Sequence, residues 1–133
     1  HASLLPSCKG IFPFFWAIQN NLDLGITFHM VQKEIDSGKH LLQVKYNQNK
    51  VKNLSMLRYY IDVFHIFPKL ALVSLDMAVN KKFLNEDKKL ESSYFSLPNR
   101  EDYITFKKNG NHIARFKDLF YKPSKLIEKY IIN

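Results

Sequence analysis

The sequence predicts an α/β fold, and three observations carry that prediction. Short runs near residues 26–31 and 40–46 alternate apolar and polar residues at the strand period. Longer runs further on repeat apolar residues at helical spacing. Proline, glycine and Asp-Ser-Gly turn formers separate the two kinds of run.

Residues 1–12 are punctuated by Pro6 and Gly10 and read as loop. Pro13 suits the first position of a helix, where its missing N–H leaves no vacancy, so "PFFWAIQNN" reads as a short helix. Phe12, Phe14, Phe15 and Trp16 on that stretch are read as core packing. Gly25 then makes the hinge into "ITFHMV", where Ile26, Phe28 and Met30 face one way and Thr27 and His29 the other. "QKEIDSGK" is a polar turn, and "HLLQVKY" a second strand with Leu42, Val44 and Tyr46 on one face. The two strands read as a hairpin-like pair or as neighbouring strands at a sheet edge. Two strands alone make no stable sheet, so the pair is expected to be the end of a sheet whose other strands lie elsewhere.

From about residue 50 the period becomes helical. Leu54, Leu57, Ile61 and Phe64 define one stripe, Pro68 is expected to end or kink that helix, and Leu70, Val73 and Met77 define a second. "NEDKKLESS" is a solvated connector. In "SLPNREDYITFKKNG" Asn99 can cap a helix, Glu101 and Asp102 suit its positive first turn, and Gly110 can end it. "HIARFKDLFY" fits no single period, and "PSKLIEKYII" reads as a closing amphipathic helix. The expected division is 1–89 and 90–133, the latter a mainly helical extension.

Composition narrows the function classes. The 133 residues are 46% hydrophobic and carry a formal charge of +8. The basic residues are spread along the chain rather than gathered, which speaks against a dedicated nucleic-acid patch and for a modest preference for anionic ligands. Cys8 is the only cysteine, which fits a reducing compartment. No apolar run is long enough to span a bilayer, and a cytoplasmic location without a membrane partner is expected. His29, His40, His65 and His112 lack a metal-ligand spacing, so no metal site is expected. Cys8 beside Lys9 is read as a passive cysteine, although a neighbouring cation can lower a thiol's pKa.

His1 and Asp36 are the candidate pair for catalysis. A carboxylate beside a histidine favours the imidazolium, which can stabilise a developing oxyanion, and the carboxylate can help accept a proton. Sequence gives no distance between them.

The stretch "HASLLPSCKGIFPFFWAIQNNLDLGITFHMVQKEIDSGKHLLQ" resembles the catalytic region of the 10-formyltetrahydrofolate-dependent formyltransferases. That superfamily includes the methionyl-tRNA, phosphoribosylglycinamide and sugar N-formyltransferases. The matching positions are His1, Ser3, Leu4, Leu5, Pro6, Lys9, Gly10, Gly25, Thr27, His29, Asp36 and Gly38. The resemblance implies the C-terminal part of a Rossmann-like formyltransferase domain. It makes His1 and Asp36 catalytic and puts Glu34, Ile35, Asp36, Ser37 and Gly38 near the folate, with His29 either close to it or holding a structural hydrogen bond. Ser3 to Pro6 would aim His1.

The family's asparagine, two positions before its histidine, is outside these residues. The chain is therefore expected to be a fragment, inactive alone. The implied donor is 10-formyltetrahydrofolate. The implied acceptor is an amine, with a small amine or amino sugar favoured over methionyl-tRNA or phosphoribosylglycinamide. The rival reading is a formyltransferase-like remnant without activity.

Overall fold

The computed structural model describes residues 1–48, 54–85, 90–123 and 130–132. It is a mixed α/β structure, as the sequence predicts. In chain order it contains β1 (Lys9–Gly10), α1 (Pro13–Gln19), β2 (Gly25–His29), β3 (His40–Tyr46), α2 (Met56–Val79), β4 (Tyr94–Phe95), α3 (Arg100–Lys108), a 3₁₀ turn (Phe116–Phe120) and β5 (Tyr130–Ile132).

β2 and β3 form the expected antiparallel pair, with Ile26 opposite Val44 and Phe28 opposite Leu42. The register slips between Phe28 and His29, so His29 faces His40. Two corrections follow from the sheet. The hairpin's third strand comes from within the chain, because β5 pairs with β3 through Val44 and Ile132. Residues 130–132 are therefore strand rather than closing helix; residues 124–129 of that expected helix lie outside the described residues. The second sheet is the parallel pair β1–β4, with Lys9 opposite Tyr94 and Gly10 opposite Phe95.

α2 runs unbroken through Pro68, where two helices were expected. Proline removes one helical hydrogen bond, and here the helix continues past it. Its buried side is also rotated from the expected stripe. Tyr59, Asp62, Val63, Leu70 and Ser74 are buried, whereas Phe64 and Val73 are 67% and 50% exposed. Two of those buried residues are polar, which hides the face from an apolar-period reading. Asp62 accepts hydrogen bonds from the phenols of Tyr46 and Tyr121, both at 2.7 Å, and the Ser74 hydroxyl donates to Leu70 O. Buried polar groups need such partners, since an unpaired one costs roughly 1–3 kcal/mol. The opposite side of α2 presents Phe64, Leu72, Leu75 and Val79 to solvent.

The core gathers around α1. Phe14 packs on Tyr59 at 5.1 Å between ring centroids, and Phe15 stacks on Phe106 of α3 at 4.4 Å. Tyr59 also meets Tyr46 edge to face at 5.1 Å. The aromatics of α1 are thus core residues, as expected. Burial of Phe106 shows that the segment after residue 90 shares this core with the residues before it.

α3 forms where its caps predict. Asn99 Oδ1 accepts from the backbone of Glu101 and Asp102, and Asp102 Oδ2 in turn accepts from Asn99 N at 2.8 Å. The 3₁₀ turn docks on the start of α2 through buried Asp118, which accepts from Ser55 Oγ at 2.6 Å.

Candidate active site

The loop that carries His1 is laced to the hairpin. The backbone N and C=O of His1 both bond to Thr27, at 2.8 and 2.9 Å, the exchange made by a hydrogen-bonded antiparallel pair. Thr27 is fully buried and works twice more. Its hydroxyl donates to Ser3 O at 2.7 Å and accepts from Leu5 N at 3.0 Å. Gln43, one strand over, donates to Leu5 O at 2.6 Å. Ser3 gives its own hydroxyl to Ser7 O at 2.7 Å, so it shapes the loop and is not free to act as a nucleophile.

His1 and Asp36 come together. Nδ1 of His1 lies 3.4 Å from Asp36 Oδ2, with the two side chains 9% and 17% exposed. Nε2 of His1 lies 2.8 Å from the carbonyl oxygen of Cys8. A carbonyl only accepts, so Nε2 carries a proton and Nδ1 is left to face the carboxylate. His29 flanks the other side. Its Nε2 is 3.7 Å from Asp36 Oδ1, and its Nδ1 is 3.1 Å from Met30 O. His29 thus makes a structural contact and also faces the carboxylate.

Asp36 itself has a positive φ of 52°, a conformation that aspartate tolerates better than most residues. Its Oδ2 accepts from the backbone N–H of Gly10 at 2.8 Å. The turn is closed by Ser37 Oγ donating to Glu34 O at 3.0 Å and by Met30 N donating to Lys39 O at 2.9 Å. At Gly38 any Cβ would overlap the Met30 carbonyl, so glycine is needed there for close approach. Glu34 and Ile35 are exposed, and Ser37 is half-buried.

Two contributors escaped the sequence reading of the site: the Cys8 carbonyl and the Gly10 amide. Gly10 was legible as a motif glycine, but its donor role depends on a contact 26 residues away. Cys8 is buried, and burial pushes its thiol up despite hydrogen bonds to Ser7 and Ser93. Lys9 therefore does not activate it. Among the described residues no group of three or more His, Cys, Asp or Glu side chains is placed to hold a metal ion, and no helix is long and apolar enough to cross a membrane.

Beside His29 an open cleft of about 580 Å³ runs between the hairpin and α2, walled by Phe28, Met30, Leu41, Phe67 and Leu75. A more polar hollow of about 310 Å³ lies at the far end of α1, near Gln19 and Asn109.

No protein-family model matches the chain. Over 81 residues it is 35% identical to a methionyl-tRNA formyltransferase of Bacteroides thetaiotaomicron, a match covering 60% of this chain and 24% of the relative. It is 30% identical over 83 residues to a methionyl-tRNA formyltransferase of Bacteroides fragilis, covering 62% of this chain and 25% of the relative. The chain thus spans about a quarter of the length of these relatives. In structure it resembles the formyltransferase PseJ from Anoxybacillus kamchatkensis, solved in complex with UDP-4,6-dideoxy-4-formamido-L-AltNAc and tetrahydrofolate. The TM-score is 0.65 at 23% identity, over 83% of this chain and 57% of that one. In sequence and in fold, the chain is a relative of the formyltransferase superfamily, matched over part of that family's length.

Proposed function

We propose that these residues carry the histidine–aspartate part of a site that moves a formyl group from 10-formyltetrahydrofolate to an amine. One observation carries the reading: Asp36 stands 3.4 Å from Nδ1 of His1 while Nε2 of that ring is tied to Cys8 O. The contact leaves a single ring nitrogen to work, and the carboxylate beside it favours its protonated form.

The proposed chemistry uses that arrangement. A neutral amine attacks the formyl carbon, a C–N bond forms, and the carbonyl electron pair moves onto oxygen. The His1 imidazolium stabilises that negative charge. Asp36 keeps the ring charged and takes up the proton that the attacking nitrogen must lose. As the intermediate collapses, the bond to the folate nitrogen breaks and that nitrogen is reprotonated. His29 faces the second oxygen of Asp36, with Nε2 3.7 Å from Oδ1.

The residues present suit a folate donor. Glu34 and Ile35 are exposed beside Asp36, Ser37 and Gly38, and peptide groups of this turn would meet a pteridine edge. The cleft beside His29 has the apolar walls that a flat ring system needs. A cytoplasmic setting goes with such a donor.

The favoured acceptor is a small amine or amino sugar. The nucleotide-linked formamido sugar in the PseJ complex supports this choice. A second reading, methionyl-tRNA, is favoured by the sequence similarity to methionyl-tRNA formyltransferases. Phosphoribosylglycinamide has no such support. The test uses the protein with whatever further sequence its gene encodes. It is incubated with 10-formyltetrahydrofolate and each amine in turn, and formylated product is measured by mass spectrometry. Formylation of an amino sugar supports the reading, and formylation of methionyl-tRNA alone replaces the acceptor. No product with any amine, from folded protein, leaves the inactive remnant.

A further inference from the structure

The Gly10 amide holds Asp36, so whatever places Gly10 also places the carboxylate. Gly10 is placed by a strand more than eighty residues away. Lys9 N donates to Ser93 O at 2.9 Å and Ile11 N to Phe95 O at 3.1 Å, on either side of the glycine. The fit is tight. Gly10 has a φ of 96°, and a Cβ there would overlap the Phe95 carbonyl.

The same segment reaches the histidine. Ser93 Oγ accepts from Cys8 N at 2.9 Å, and the carbonyl of Cys8 receives Nε2 of His1. Ser93 N returns a bond to Pro6 O at 3.2 Å. The segment is itself braced from α1, where Trp16 stacks on Phe95 at 4.8 Å and donates from Nε1 to Ser96 O at 3.0 Å.

We propose that Ser93–Phe95 is a positioning element for both members of the His1–Asp36 pair, with Ser93 as its decisive side chain. Its hydroxyl holds the N–H of Cys8, its carbonyl holds the Cys8–Lys9 peptide whose oxygen orients the histidine, and the adjoining backbone sets the amide that holds the aspartate. None of the three residues touches the reacting atoms in this scheme. The inference rests on the reading of His1 and Asp36 given above.

The Gly10 amide proton supplies the readout, because an N–H bonded to a carboxylate shifts as that carboxylate is protonated. In ¹⁵N-labelled protein its resonance is expected to move with pH, and to stop moving in Asp36→Asn. In Ser93→Ala that movement should shrink, and amide exchange at Cys8 and Gly10 should quicken by about tenfold or more, the factor expected for losing one hydrogen bond. Ser93→Thr, which keeps a hydroxyl, should restore both. Circular dichroism checks that each variant is folded. Should Ser93→Ala fail to fold, Trp16→Phe loosens the same segment and is read in the same way.

Unchanged exchange and titration at Gly10 and Cys8 in a folded variant overturn the proposal. Formyl transfer by the wild type is scored separately. A silent wild type whose Gly10 amide follows Asp36 removes the catalytic reading and leaves the positioning intact. An active enzyme in which folded Ser93→Ala keeps kcat, KM and its pH profile removes the positioning and leaves the catalytic reading.

Discussion

Nε2 of His1 sits 2.8 Å from the carbonyl oxygen of Cys8, and this contact decides which face of the imidazole is available. The bond fixes a proton on Nε2, so any change of ring charge takes place at Nδ1, on the side of Asp36.

The first prediction concerns that side. Asp36→Asn keeps the shape of the side chain and an oxygen that can accept from Gly10, but removes the charge that favours imidazolium. Formyl-transfer kcat is expected to fall on the order of 100-fold or more, with thermal stability little changed. Steady-state kinetics beside a melting curve test it, and turnover equal to wild type would remove Asp36 from the mechanism.

The second concerns the turn behind the carboxylate. Gly38→Ala puts a methyl group into the Met30 carbonyl, so the turn must open. Such overpacking costs about 1–3 kcal/mol. Because Met30 adjoins His29 and Gly38 closely follows Asp36, activity should fall along with the urea midpoint. A variant with wild-type stability would show that the turn has slack.

The third is purely structural. Asp62 is buried and takes the phenols of Tyr46 and Tyr121, joining α2 to the hairpin and to the segment after the 3₁₀ turn. Asp62→Ala leaves both phenols without that acceptor and is expected to cost about 2–4 kcal/mol. Asp62→Asn, which keeps one oxygen, should lose less. Denaturant unfolding of the two variants compares them directly, and equal losses would contradict this account.

The fourth is a pH dependence. Burial pushes the phenol of Tyr60 up to about 12, against an ordinary value of 10.0, with a hydrogen bond to the Phe14 backbone opposing the shift. A raised folded-state pKa means stability that is complete below pH 10 and lost as pH climbs toward 12. Cys8, raised from 9.0 by burial, acts with the same sign and starts earlier. Melting temperature should therefore decline above pH 9, with phenolate absorbance marking the Tyr60 contribution. A flat profile through that range would contradict both burials.

Much of the hairpin and the α3 caps was legible because each depends on neighbours in sequence. Alternation marks β2 and β3, and Asn99 with Asp102 marks the start of α3. The buried face of α2 was not legible, because Asp62 and Ser74 occupy it and only a tertiary partner explains them there. The Tyr130–Ile132 strand was missed for a similar reason: its backbone is committed by β3, not by its own periodicity. Within the site, the pairing of His1 with Asp36 followed from a recognised pattern of residues. The distance between them, and the amide that holds the carboxylate, required the fold.

Pro68 gives α2 a divided character that its outline conceals. With no N–H at position 68, the Phe64 carbonyl loses its helical donor on a side chain that faces water. The turns before this gap are anchored by Tyr59, Asp62 and Val63, and those after it by Leu70 and Ser74. Deuterium exchange is therefore expected to divide the rod at Pro68, with amides of the earlier part exchanging more slowly than those of the later part.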